Sequence, residues 1–188
     1  SSSTTCAVRT ETHRAPMHPS RTEDFVMKWL AIDIGNTQTV IGLYEVRFVG
    51  DRIEPALLRR SRFRTSATAT ADEWRQSVGW IPEAERIIVA SVVPQLHLSV
   101  REALDGRRWF SIDSTTPRDF ELALPHPEQL GADRLANVMG ALSRFEPPFL
   151  IVDSGTATTF CLVDRDRRYI GGAIVPGIET SFSALQAR

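Results

Sequence analysis

Two short stretches place a carboxylate, a glycine and hydroxyls in the same order, Asp33-Ile34-Gly35-Asn36-Thr37 and Asp153-Ser154-Gly155-Thr156-Ala157-Thr158. A glycine between two strands lets the backbone come close to a ligand and turn its amides toward an anion. The hydroxyls of Thr37, Thr39, Thr156 and Thr158 can add donors to phosphate oxygens. A carboxylate at the strand end would repel phosphate unless a cation stood between them, so its task there is to hold hydrated Mg²⁺ or another metal ion. A single Asp-x-Gly turn also reads as an ordinary hairpin closed by an Asx bond. Two copies in register favour a pair of facing turns that grip a polyphosphate.

That grip works without lysine, which matters because Lys28 is the single lysine among 22 basic residues. Neither G-x-x-x-x-G-K-[ST] nor G-x-G-x-x-G occurs, so the two commonest phosphate-binding loops are excluded. Leu130-Gly131-Ala132-Asp133-Arg134 opens an apolar helix. Asp133 there reads either as an acid favoured by the helix dipole or as a base that takes a proton from a substrate hydroxyl; Arg134 reads as a solvated residue or as the partner of a substrate carboxylate. Gly171-Gly172 and Pro176-Gly177 flank a strand, as turn residues or as places where a nearby nucleotide excludes bulk. His97 and His126 lack Cys or His partners at ligand spacing and read as surface or core filler, and the dispersed Trp29, Trp74, Trp80 and Trp109 as packing.

These residues need a scaffold, and the chain is long enough for one. It has 188 residues, 42% of them apolar, and a formal charge of -1, which gives no reason to expect nucleic acid or an acidic membrane as partner. No apolar run approaches the roughly 20 residues of a membrane-spanning helix. Two cysteines, Cys6 and Cys161, make no disulfide framework, and the cytoplasm is the expected compartment. Residues 1–26 carry Ser, Thr and Pro without a helical or strand period, and read as a disordered extension holding Cys6, His13 and His18, with Met27 the functional start.

From Met27 the pattern is mixed α/β. Strands are expected over 28–34, 39–45, 56–65, 86–93 and 108–113. Helices are expected from a Thr70 cap, with Trp74 and Val78 inward, and over 94–104, with Leu96, Val100 and Leu104 on one stripe. After a proline-bearing loop comes a helix over 132–145 with Leu135, Val138, Met139, Leu142 and Phe145 apolar, then strands over 149–153, 158–163 and 169–175 and the start of a last helix. The first order is βββαβαβ, and the second βββ repeats it at a shift of 120 residues, aligning Asp33 with Asp153, Gly35 with Gly155 and Thr39 with Thr159. A duplicated α/β domain with its ligand cleft between the halves is the expected architecture, the second half unfinished.

The segments Met27–Thr37, Leu130–Arg134, Asp153–Thr159 and Gly171–Gly177, in this order and at these separations, resemble bacterial type III pantothenate kinase. The resemblance runs from Met27 to Arg188. It implies the fold of the actin, sugar kinase and Hsp70 class: α/β, with two ribonuclease-H-like domains, the first over 27–125 and the second, truncated, over 126–188. It also implies ATP-dependent phosphorylation of pantothenate, the first step of coenzyme A biosynthesis. By motif, Asp33, Ile34, Gly35, Asn36, Thr37, Gln38, Thr39 and Val40 would form the first phosphate loop, with Asp33 near Mg²⁺ through water. Thr156 would contact ATP, and Asp153 would ligate a monovalent cation (K⁺ or NH₄⁺). Gly131, Ala132, Asp133 and Arg134 would line the pantothenate pocket, with Asp133 the catalytic base. The chain departs from the family at Leu124, where relatives carry a tyrosine. Family members continue well past residue 188, through a further substrate-binding threonine and surfaces that build a homodimer, so this chain by itself is expected to be unstable or inactive. The readings from other classes are a nucleotide-binding regulator resembling a transcription accessory factor, and a phosphohydrolase of the same superfamily.

Overall fold

The computed structural model describes residues 24–50, 52–79 and 81–187. Cys6, His13, His18 and Trp80 lie outside them. Strands β1 (Phe25–Ile34), β2 (Gln38–Val49), β3 (Arg52–Arg64), β4 (Arg86–Ser91) and β5 (Trp109–Ser111) form one sheet in the order β3-β2-β1-β4-β5. β2 runs antiparallel to both its neighbours, whereas β4 runs parallel to β1 and β5. That order and these directions are those of a ribonuclease-H-like domain. The strand β1 begins at Phe25, two residues before Met27; Phe25 pairs with Phe48 and stacks on its ring at 4.4 Å.

Alternation along the strands gives the sheet two unlike faces. Leu30, Ile32 and Ile34 of β1 with Ile41 and Leu43 of β2 are buried on one face, where Trp74 of helix α1 (Ala71–Ser77), Val100 of helix α2 (His97–Ala103) and Leu96 of the turn just before α2 cover them. Each such aliphatic side chain contributes about 1.5–3 kcal/mol of hydrophobic stabilisation. The helix α1 starts at the expected place because Thr70 and Glu73 form a reciprocal capping box, Glu73 N–H donating to Thr70 Oγ1 at 3.3 Å and Thr70 N–H to Glu73 Oε2 at 2.7 Å. The opposite face carries Ala31 and Asp33 of β1, Gly42 and Val40 of β2, and Arg60 and Arg62 of β3, row by row.

The second sheet has the order β6-β9-β8-β7, from β6 (Glu121–Leu122), β7 (Phe149–Ser154), β8 (Ala157–Val163) and β9 (Arg168–Pro176). Its meander β7-β8-β9 repeats β1-β2-β3. The two-residue β6, within the proline-bearing loop, is an addition to the expected elements; it pairs parallel to β9 and buries Leu122. Helix α3 (Ala132–Leu142) touches β4 of the first sheet and β7 and β8 of the second, which puts its first turn between the two sheets. Leu135 and Val138 are its fully buried positions, and it stops before Phe145, which is exposed. Helix α4 (Ile178–Gln186) comes after β9 and has no buried residue.

Candidate active site

The turn after β1 is closed by Gly35 N–H donating to Gln38 O at 3.0 Å, and the turn after β7 by Gly155 N–H donating to Ala157 O at 3.0 Å. The expected 120-residue equivalence holds on the incoming strands. It slips by one on the outgoing strands, because Ile34 pairs with Thr39 whereas Ser154 pairs with Thr158. The first turn is one residue longer, so Thr39 corresponds in space to Thr158 and not to Thr159.

The two turns meet. Thr156 Oγ1 donates to Thr37 Oγ1 at 3.0 Å across 119 residues of sequence. Asp33 lies in mid-sheet between Val40 of β2 and Ala90 of β4, while Asp153 lies near the end of β7, where its Oδ2 accepts from Asn137 Nδ2 at 3.0 Å. Asn137 is one helical turn beyond Asp133 on α3, so this helix brings both side chains to the same cleft. The Asp33 carboxyl is pushed above the ordinary aspartate range by partial burial first, then by the charges of Asp133 and Asp153. The three carboxylates of residues 33, 133 and 153 therefore share one crevice, with no basic side chain hydrogen-bonded to any of them among the described residues.

Not every expected contact can form. Ile34 and Thr39 turn their side chains into the core, and Thr39 Oγ1 is paired with Thr65 Oγ1 at 2.9 Å. They can offer a ligand only backbone groups, in contrast to the exposed Asn36, Thr37 and Gln38. Ala132 is likewise buried. Asp133 Oδ1 accepts the Arg134 N–H at 2.7 Å, and a Cβ on Gly131 would lie 2.5 Å from that oxygen, so the bare Gly131 makes room for the carboxylate.

The guanidinium of Arg134 points at the second sheet. Its Nη2 donates to Tyr169 Oη at 2.6 Å and to Phe160 O at 3.1 Å, and its Nε to Cys161 Sγ at 3.3 Å. Nη1 has no protein acceptor among the described residues. Burial, then the Cys161 sulfur, pushes the Tyr169 phenol up to about 12, so it stays a neutral acceptor for the arginine. A Cβ on Gly172 would overlap the Phe160 carbonyl oxygen and come within 2.7 Å of Arg134 Nη2, which explains one glycine of the Gly-Gly pair by packing. The other, Gly171, has φ of 131° and sits at the bulge between Leu162 and Val163. Gly177 seals the second turn from behind: its N–H donates to Thr156 O at 2.9 Å, and a Cβ there would strike the Gly155 carbonyl.

Asn137, Tyr169 and Thr65 are not marked by any motif. The i, i+4 spacing from Asp133 points to Asn137; nothing local points to the other two. His97 and His126 are on the surface, as expected, and Leu124 packs against the second core.

For metal, the described residues hold no cluster of three or more His, Cys, Asp or Glu side chains at ligand distance. The donor set fits a cation held by one or two carboxylates with water and ligand oxygens completing the shell, as Mg²⁺ prefers, and not an all-protein cage.

The family model of type III pantothenate kinase matches residues 29–188. A type III pantothenate kinase of Exiguobacterium sibiricum is 36% identical over 83% of this chain and 63% of its own length, and one of Thermomicrobium roseum is 37% identical over 85% of this chain and 62% of its own. The chain thus spans a little over three-fifths of the length of these curated relatives. Among solved structures, the Aquifex aeolicus Ppx/GppA phosphatase overlays with a TM-score of 0.48 at 12% identity, over 84% of this chain and 55% of that one, too loosely to bear on function. With the duplicated β-turn-β scaffold, its paired acidic turns and a family match over nearly all of the described residues, the chain belongs to the type III pantothenate kinase family.

Proposed function

We propose that this protein transfers the γ-phosphoryl group of ATP to the primary hydroxyl of pantothenate, giving 4'-phosphopantothenate at the entry to coenzyme A biosynthesis. The observation that carries the reading is the convergence of Asp33, Asp133 and Asp153 on one crevice between two facing glycine turns. Backbone amides of the Asp33–Val40 turn, with the Thr37 hydroxyl, take one side of the triphosphate, and Thr156 takes the other. Asp33 and Asp153 are the groups to hold cations, Mg²⁺ at the first through water and K⁺ or NH₄⁺ at the second. Such cations neutralise the charge on the phosphates.

Gly131–Arg134 binds the acceptor. Nη1 of Arg134 is left for the pantothenate carboxylate because Tyr169, Phe160 and Cys161 occupy the other edge. Asp133 takes the hydroxyl proton as the alcohol oxygen bonds to the γ-phosphorus and the bond to the bridging oxygen of ADP breaks. The protein's contribution is positioning and charge placement, as in phosphoryl transfer generally. The enzyme works in the cytoplasm as a homodimer, with neither nucleic acid nor membrane among its partners. Cys161 is a free, buried thiol, and no described helix is long and apolar enough to cross a membrane.

The test is ATP consumption, by this chain and by a form extended to the relatives' length, with and without pantothenate, in potassium and in sodium. Turnover that requires pantothenate and rises in potassium supports the kinase. Hydrolysis indifferent to pantothenate points to a phosphohydrolase, and nucleotide binding without turnover to a regulator.

A further inference from the structure

The charge of the crevice is unbalanced. Three carboxylates face it, a triphosphate would bring more negative charge, and the nearest motif arginine, Arg134, turns two of its three nitrogens to the second sheet. The single lysine cannot help: Lys28 stands opposite Glu45 in the strand register, and five residues of strand, about 17 Å, separate it from Asp33.

The first sheet supplies a cation from its far edge. Asp33 pairs with Val40, and Val40 pairs with Arg62, so the three side chains stand in one row on the face opposite the α1–α2 layer. Two strand spacings, about 10 Å, separate Arg62 from Asp33 at the backbone. An extended arginine and one intervening phosphate group together cover that span. Only Val40 lies between, and its side chain is short. In the next row along, Arg60–Gly42–Ala31, the Tyr44 ring lies over Gly42, so the Val40 row is the lower passage from β3 to β1.

Arg62 is exposed and takes no hydrogen bond or ion pair among the described residues, whereas Arg47, Arg59, Arg75 and Arg168 each have an acidic partner. Its neighbours in the alternation lie one row to either side. Arg60 is a row further from the turn, by about 6.8 Å, and Arg64 stands opposite Gln38, outside the Asp33 row.

We infer that Arg62 is a further phosphate-binding residue, reaching over Val40 to the polyphosphate of the nucleotide held between the two acidic turns. The inference rests on the phosphate-binding reading of those turns and adds to it the side-chain cation that the turns lack. A guanidinium in that place bonds phosphate oxygens through a planar fork, and its contribution grows with the number of phosphates.

The experiment is equilibrium binding of Mg·ATP, Mg·ADP and adenosine to this chain at low and high salt, for the wild type, Arg62→Ala, Arg62→Lys and Arg60→Ala. Circular dichroism checks folding; residue 62 is on an exposed edge strand, so the three variants should fold to the same extent as the wild type. Arg62→Ala should weaken Mg·ATP about tenfold or more, Mg·ADP less, and adenosine not at all. It should also flatten the salt dependence, Arg62→Lys should recover part of the loss, and Arg60→Ala should change Mg·ATP less than about twofold. Equal Mg·ATP affinities for Arg62→Ala and Arg60→Ala, or a parallel loss for adenosine, overturns the assignment while leaving the turns as the phosphate site. A folded wild type that binds adenosine but gains nothing from added phosphates overturns both.

Discussion

The bend that joins β1 to β2 and the bend that joins β7 to β8 carry the same Asp-x-Gly, yet different parts of the chain brace them. The first is held inside its own sheet. Thr65 N–H, just past β3, donates to Thr37 O at 3.0 Å, Val92 N–H, just past β4, donates to Ile34 O at 3.0 Å, and Thr39 is locked to Thr65. The second leans on the segment just past β9: Gly177 N–H and Thr180 Oγ1 each donate to Thr156 O at 2.9 Å. Its parent strand β7 has β8 on one side and no strand on the other among the described residues, and Leu150 and Val152 are each 55% exposed. Helix α4 presents Ile178, Phe182 and Leu185 at 61–72% exposure. Among the described residues, one bend is set by a filled core, and the other by two hydrogen bonds from the segment just past β9.

The largest expected contrast is in stability. Leu30→Ala in the first core should cost about 2–5 kcal/mol in urea unfolding, whereas Val152→Ala, on the exposed face of the second sheet, should stay within about 0.5 kcal/mol. Similar costs for the two would show that the second sheet is as well packed as the first.

The glycines behind the bends give the next contrast. Gly177→Ala pushes a methyl group into the Gly155 carbonyl and should cost about 1–3 kcal/mol. It should also abolish Mg·ATP binding, read by titration. A Cβ on Gly35 meets only Gln38 O at 3.1 Å, so Gly35→Ala should be the milder of the two in both readouts.

A smaller effect concerns charge. Asp33 has a raised pKa in the folded chain, so its ionised form is disfavoured by folding. Asp33→Asn should therefore raise the thermal midpoint slightly at pH 7, and that gain should fade as pH falls through the raised pKa and vanish below the free aspartate value of about 3.9. A gain that persists at pH 3 would assign it to something other than charge. The smallest is the link itself. Thr156→Val removes an exposed hydroxyl bond and should cost less than about 1 kcal/mol in unfolding, while any loss of nucleotide affinity would exceed that.

Much of this fold is legible in the chain. The apolar alternation of Leu30, Ile32 and Ile34, the Thr70–Glu73 cap and the Leu135–Val138 stripe each fix an element by local physics, and the repeated Asp-x-Gly marks both bends. The features that escape a sequence reading depend on partners distant along the chain. Leu122 becomes a strand residue only because β9 lies beside it, and two residues have no period to read. The slip from Thr159 to Thr158 arises from a turn one residue shorter, which a constant sequence shift hides. The direction of Arg134 is decided by Tyr169 and Cys161, 35 and 27 residues downstream. The inward turn of Thr39 is decided by Thr65 in the same way.

The Thr37–Thr156 bond has one more implication. The facing hydroxyls of the two bends bond to each other, which ties together segments 119 residues apart in sequence. A ligand that draws on either hydroxyl has to offer an oxygen in exchange, so what one bend can present to a guest depends on where the other bend sits.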